Sequence, residues 1–137
     1  MKKIILGILM IKSMLMADFQ TIDIKTFEKL KSEGVPVIDI RTPDEWTETG
    51  VIEGTHKITF FDDFGEAHLA EWCFKVGHIV KNEKAPLIIY CASGRRTHKV
   101  GEILSKLGFE NVYELKGGIS KGWIDLGKKT EPSPEVF

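Results

Sequence analysis

A chain of 137 residues, 42% of them hydrophobic and 28% charged, has enough apolar material for one ordinary core and too little for two. Its formal net charge of -1 leaves no electrostatic footprint for nucleic acid, and no run of lysine and arginine is long enough to act as a polyanion-binding tail. Nucleic acid is therefore not an expected partner, and any positive potential must be local to a site.

Residues 1–17 stand apart from the rest. Lys2 and Lys3 precede the apolar run Ile4 to Ile11, followed by Ser13-Met14-Leu15-Met16-Ala17, and all 4 methionines fall in this stretch. A charged start, a short apolar segment and a small residue at Ala17 predict a secretory signal, too short to span a bilayer and removed on export. Lys12 interrupts the run, and Leu15 stands where a small residue is the better cleavage determinant. An uncleaved membrane tether and an irregular cytosolic N-terminus are the competing readings. No cysteine follows the run, which argues against a lipoprotein anchor. Export implies the periplasm, with no stable membrane anchor after cleavage and a mature domain over 18–127. In that oxidising space Cys73 and Cys91 have the opportunity to pair. A structural disulfide would silence Cys91, so two separate thiols are expected.

Phe19 to Ile22 reads as a first strand, and Ile24, Phe27 and Leu30 mark a short amphipathic helix ended by Gly34. Pro36-Val37-Ile38-Asp39-Ile40 reads as a second, buried strand. Thr42-Pro43-Asp44-Glu45 is a capping box with proline at the first helical position, so a helix runs on through Trp46. A third strand is expected near Lys57-Ile58, after Gly54. Leu69, Trp72, Cys73 and Val76 make the apolar face of another helix, on which Cys73 reads as a core thiol rather than a resolving cysteine. Leu87 to Tyr90 is a strand apolar on both faces, and Val100, Ile103, Leu104 and Leu107 recur at i, i+3, i+4 and i+7 along a helix ended by Gly108. Val112 to Leu115 is a last strand before the Gly117-Gly118 turn, Ile119 to Leu126 a last helix, and 128–137 a loosely ordered tail. Alternating strands and helices predict an α/β domain in three layers, with a mainly parallel sheet of about five strands covered on both faces.

The chemistry gathers in Cys91-Ala92-Ser93-Gly94-Arg95-Arg96, between the fourth strand and its helix. In such sheets the site lies beyond the carboxyl ends of the strands. A cysteine there meets backbone N–H groups of the loop and the positive end of the following helix, with two arginines beside it. Together these should leave much of the thiol as reactive thiolate. Cys91 is thus the expected nucleophile, and Ala92 to Arg96 the expected substrate-binding loop. Asp39 and Arg41 either contribute charge at the strand ends or pair to hold the scaffold. The histidines, His56, His68, His78 and His98, have no metal-ligand spacing, so neither metal nor cofactor is expected.

These segments resemble the rhodanese family of sulfurtransferases. The six-residue loop that begins with the catalytic cysteine matches Cys91 to Arg96, and the strand ending in Asp-x-Arg before a capped helix matches Val37 to Trp46. Gly50-Val51-Ile52-Glu53-Gly54-Thr55 matches a second signature with departures at Val51 and Thr55. Leu115-Lys116-Gly117-Gly118-Ile119 with Gly122-Trp123 matches the segment before the last helix. The resemblance covers about residues 19–127 and is similar to single-domain periplasmic rhodaneses. It implies transfer of a sulfane sulfur from a small anionic donor such as thiosulfate to a thiol, cyanide or protein acceptor, through a persulfide on Cys91. A persulfide carrier with little turnover is the alternative. A thiol-disulfide oxidoreductase lacks its Cys-x-x-Cys here, and an arsenate-reductase or phosphatase loop needs arginine where this chain has Thr97.

Overall fold

The computed structural model describes residues 19–134, and the expected signal segment, 1–17, lies outside the described residues. Ten elements alternate along the chain: β1 (Phe19–Ile22), α1 (Ile24–Ser32), β2 (Val37–Asp39), α2 (Pro43–Thr49), β3 (His56–Lys57), α3 (Leu69–Val76), β4 (Leu87–Tyr90), α4 (Arg95–Lys106), β5 (Val112–Leu115) and α5 (Gly118–Gly122). A 3-10 turn, Ile124–Leu126, follows. The five strands form one sheet in the order β1-β5-β4-β2-β3, every pair parallel. This is the α/β architecture, on a parallel five-stranded sheet, that the alternation of elements predicts and that the resemblance implies.

β4 is central and all four of its residues are buried, yet its side chains still alternate between the two faces. Leu87, Ile89 and then Cys91 join Ile38, Trp72, Val76, Val100 and Leu104 in one core layer, whereas Ile88 and Tyr90 join Phe27, Ile52 and Ile119 in the other. The strand therefore carries Cys91 into the layer under α4. Asp23 starts α1 by accepting from the Thr26 N–H at 2.9 Å, and Glu45 reaches back to the Thr42 N–H at 3.3 Å to start α2.

Three expectations differ from the structure. The buried face of α4 is Thr97, Val100, Gly101 and Leu104, with Leu107 50% exposed, because the helix has ended before Leu107 and that residue turns outward. The last helix does not run from Ile119 to Leu126. It breaks at Trp123 (φ -138°, ψ -68°), whose ring packs edge-on against Phe27 and whose Nε1 donates to the Lys129 carbonyl at 2.9 Å, so tertiary packing overrides the helical pattern. The segment after 127 is also docked rather than loosely ordered as far as it is described. Val51 and Glu131 exchange two backbone hydrogen bonds, Thr130 Oγ1 donates to the Thr49 carbonyl, and Ser133 is buried against Lys57.

Candidate active site

The loops after β2 and β4 lie side by side, because these strands are neighbours with Asp39 opposite Tyr90. After β2 the chain places Asp39 and Arg41 fully inside. The Asp39 carboxylate takes Nε of Arg41 and Nη2 at 2.8 Å, and the remaining guanidinium hydrogens go to Thr49 Oγ1 and the carbonyls of Glu45 and Gly50. All five N–H donors of Arg41 are thus used within the scaffold, and none is free for a ligand. Tyr90 fills the space beneath, accepting from the Ile52 N–H and donating to Thr55 Oγ1. Burial, with the Asp39 charge as a lesser cause, pushes its phenol well above its ordinary range. The two departures from the family signature thus have local roles: Thr55 receives the Tyr90 hydroxyl, and Val51 pairs with Glu131.

After β4 the chain turns at Gly94, whose φ of +101° only glycine adopts without strain, and α4 begins at once. The Gly94 N–H donates to Cys91 Sγ at 3.1 Å, and Thr97 Oγ1 lies 3.6 Å from the same sulfur. The loop thus brings one backbone N–H onto the sulfur, together with the positive end of a twelve-residue helix. Cys91 is 1% exposed. From the far side α5 seals the loop: the N–H groups of Ile119 and Ser120 donate to the carbonyls of Cys91 and Ala92 at 2.9 and 3.1 Å. Gly118 makes this possible. It has φ +62°, and a Cβ there would lie within 2.6 Å of both carbonyl oxygens.

The two arginines separate. Arg96 makes a two-pronged ion pair with Glu45, at 2.6 and 2.7 Å, which ties the first turn of α4 to the first turn of α2. Burial raises the Glu45 carboxyl, but the hydrogen bonds and charge of Arg96, with the Thr42 N–H and hydroxyl, more than reverse this and hold it below the ordinary carboxylate range. Arg95 is exposed and has no ion pair among the described residues. With Ser93, His98, Lys99 and Lys116, and with Glu114 as the one acidic group, it lines a cleft of about 530 Å³ along the loop. Both cysteines are free thiols. Cys73 is half-buried at the edge of the core, and burial pushes its thiol up, which makes it a poor nucleophile.

Sequence reasoning did not assign Thr97 and Glu114 to the site. Thr97 Oγ1 donates to Glu114 Oε1 at 2.7 Å, and Glu114, on β5, is 5% exposed. The spacing held a signal for the first: Thr97 is three residues before Val100 and so shares its buried face. Nothing local signals Glu114, which reaches Thr97 across 17 residues of chain.

The rhodanese-like domain profile matches residues 23–125. Among curated relatives, the chain is 28% identical over 119 residues to Protein HIGH ARSENIC CONTENT 1 of Arabidopsis thaliana, covering 86% of this chain and 69% of that protein. It is 33% identical over 103 residues to the tRNA uridine(34) hydroxylase of Protochlamydia amoebophila, covering 74% of this chain but only 31% of that one. A putative mitochondrial thiosulfate sulfurtransferase of Schizosaccharomyces pombe is 24% identical over 121 residues, covering 87% of this chain and 82% of that one. In structure, the fold is similar to that of the polysulfide-sulfur transferase homodimer of Wolinella succinogenes, with a TM-score of 0.63 and 21% identity over 85% of this chain and 81% of that one. With the profile spanning most of the chain, and a cysteine loop on a five-stranded parallel sheet where sequence and fold both put it, the chain belongs to the rhodanese-like domain family.

Proposed function

We propose that this protein is a sulfurtransferase that moves a sulfane sulfur from a donor such as thiosulfate to a thiophilic acceptor, through a persulfide on Cys91. The observation that carries the reading is the sulfur at the end of the central strand, with the Gly94 N–H on it and the start of α4 beside it. In the first step the Cys91 thiolate attacks the outer sulfur of thiosulfate. A new S–S bond forms, the old one breaks, and sulfite leaves with the electron pair. In the second step an acceptor thiol or cyanide takes the outer sulfur and Cys91 leaves as thiolate. The loop N–H and the helix dipole are oriented before reaction, so they stabilise the anionic sulfur without reorganisation. Along the cleft the three cations Arg95, Lys99 and Lys116 outnumber the single carboxylate of Glu114, which supports an anionic donor.

Incubation with thiosulfate should raise the mass of the Cys91 peptide by one sulfur atom. Modification confined to Cys73, or none in the intact protein, refutes this assignment of the nucleophile. A second reading draws on the 1% exposure of Cys91: a sulfur so covered suits a carrier that holds persulfide for a protein partner. Loading without turnover to cyanide or any small thiol would select the carrier. We further propose periplasmic action, from Lys2, Lys3, the apolar run and Ala17. Fractionated cells should then yield a mature form starting near Asp18 in the periplasm, and full-length soluble protein in the cytoplasm would overturn this.

A further inference from the structure

Thr97 Oγ1 stands between two groups with opposite demands. It lies 3.6 Å from Cys91 Sγ and 2.7 Å from Glu114 Oε1, with the Gly94 carbonyl at 3.1 Å. The other Glu114 oxygen accepts from Thr21 Oγ1 at 2.7 Å, and His98 Nδ1 is 3.8 Å from it. A hydroxyl has one proton to give. The short bond to a carboxylate is charge-assisted and outcompetes both the carbonyl and the sulfur. Toward the sulfur, Thr97 then offers only lone pairs. A thiol can use them by donating its S–H, whereas a thiolate meets them as repulsion.

We propose that Glu114 is a positioning residue for the Cys91 nucleophile: by holding the Thr97 proton it keeps that hydroxyl an acceptor toward sulfur and favours the resting thiol. Activation then requires the hydroxyl to turn, so that its proton leaves Glu114 Oε1 and points at Sγ while the thiol proton departs to solvent. No covalent bond of Thr97 breaks. The buried sulfur stays in its less reactive form until the hydroxyl turns. The other charges around this cluster are Arg96, paired with Glu45, His98, which also pairs with Glu102, and Arg95, Lys99 and Lys116 on the cleft.

The inference rests on Cys91 as nucleophile, but its test needs no sulfur transfer, so failure of thiosulfate to load the protein leaves the result readable. The Cys91 Cβ chemical shift would be followed by NMR against pH in wild type, Glu114→Gln, Thr97→Val and the double variant. A neutral amide holds the hydroxyl without charge assistance, so Glu114→Gln should move the Cys91 midpoint to lower pH by about one unit, about tenfold more thiolate at a fixed pH. In the Thr97→Val background the same change should have a clearly smaller effect, that of the lost charge alone, and Thr97→Ser should behave as wild type. An equal shift with and without the Thr97 hydroxyl would show that the carboxylate acts through its field alone and overturn the proposal, as would no shift in a folded Glu114→Gln protein. If Glu114→Gln does not fold, Thr21→Val supplies the test: with one donor lost the carboxylate holds Thr97 more tightly and the midpoint should rise, and an unchanged or lower midpoint overturns the proposal.

Discussion

Arg95 and Arg96 adjoin in the chain but point about 100° apart around the first turn of α4, so one faces the cleft and the other faces α2. Their roles should separate accordingly. Arg95→Ala removes a cation from the donor's approach and leaves the packing intact. It should lower kcat/KM for thiosulfate about tenfold to a hundredfold, as a charge-assisted contact of about 1.5–3 kcal/mol implies, with an uncharged sulfur donor affected less and Tm unchanged. Arg96→Ala instead leaves the half-buried Glu45 without its partner and should lower Tm as well as activity. Steady-state kinetics with both donors, beside thermal melts, reads the difference. Equal losses for both donors in Arg95→Ala would mean that this side chain supports the loop rather than meeting the anion.

Between elements, the Glu45–Arg96 pair is the strut that joins the loop after β2 to the loop after β4. It also gives the fold an acid sensitivity of defined sign. The Glu45 carboxyl is held below its ordinary value in the folded protein, so the folded state binds this proton less readily than the unfolded chain. The strut's contribution is therefore complete above the unfolded carboxyl value and is lost as pH falls through the folded one. Melts from about pH 6 to about pH 3 should show wild type losing stability, while Glu45→Gln, less stable at neutral pH, should lose less over the same window. Parallel slopes for the two proteins would remove Glu45 from the account of acid sensitivity.

At the scale of the whole molecule the last segment closes the structure. The Thr130 hydroxyl, the two-bond Val51–Glu131 bridge and the Lys57–Ser133 contact fasten it to the turn between α2 and β3. A chain ending at Gly127 should be destabilised by about 2–4 kcal/mol, since each net hydrogen bond contributes about 1 kcal/mol, and its Tm should drop by several degrees. Its β4–α4 loop is untouched, so thiosulfate should still load Cys91 at temperatures where the fold persists. An unchanged Tm would show that these contacts add nothing to stability.

What residue order determines alone in this protein is local. Leu87 to Tyr90, a short apolar run after Pro86, reads as a strand buried on both faces. Thr42-Pro43-Asp44-Glu45 carries its own helix start, and Cys91 to Arg96 fits a strand-to-helix turn because Gly94 permits its φ. These features rest on backbone preference and hydrophobic period, which act within a few residues. The tertiary structure alone decided which partners meet across the chain. Only the fold brings Glu45 to Arg96 over 51 residues, the Thr21 and Thr97 hydroxyls to the one Glu114 carboxylate, and Glu131 to Val51. It also breaks the last helix at Trp123, where packing against Phe27 outweighs a helical pattern. Such contacts are set by sheet order, and a parallel order of β1-β5-β4-β2-β3 joins segments whose separation leaves no periodic trace.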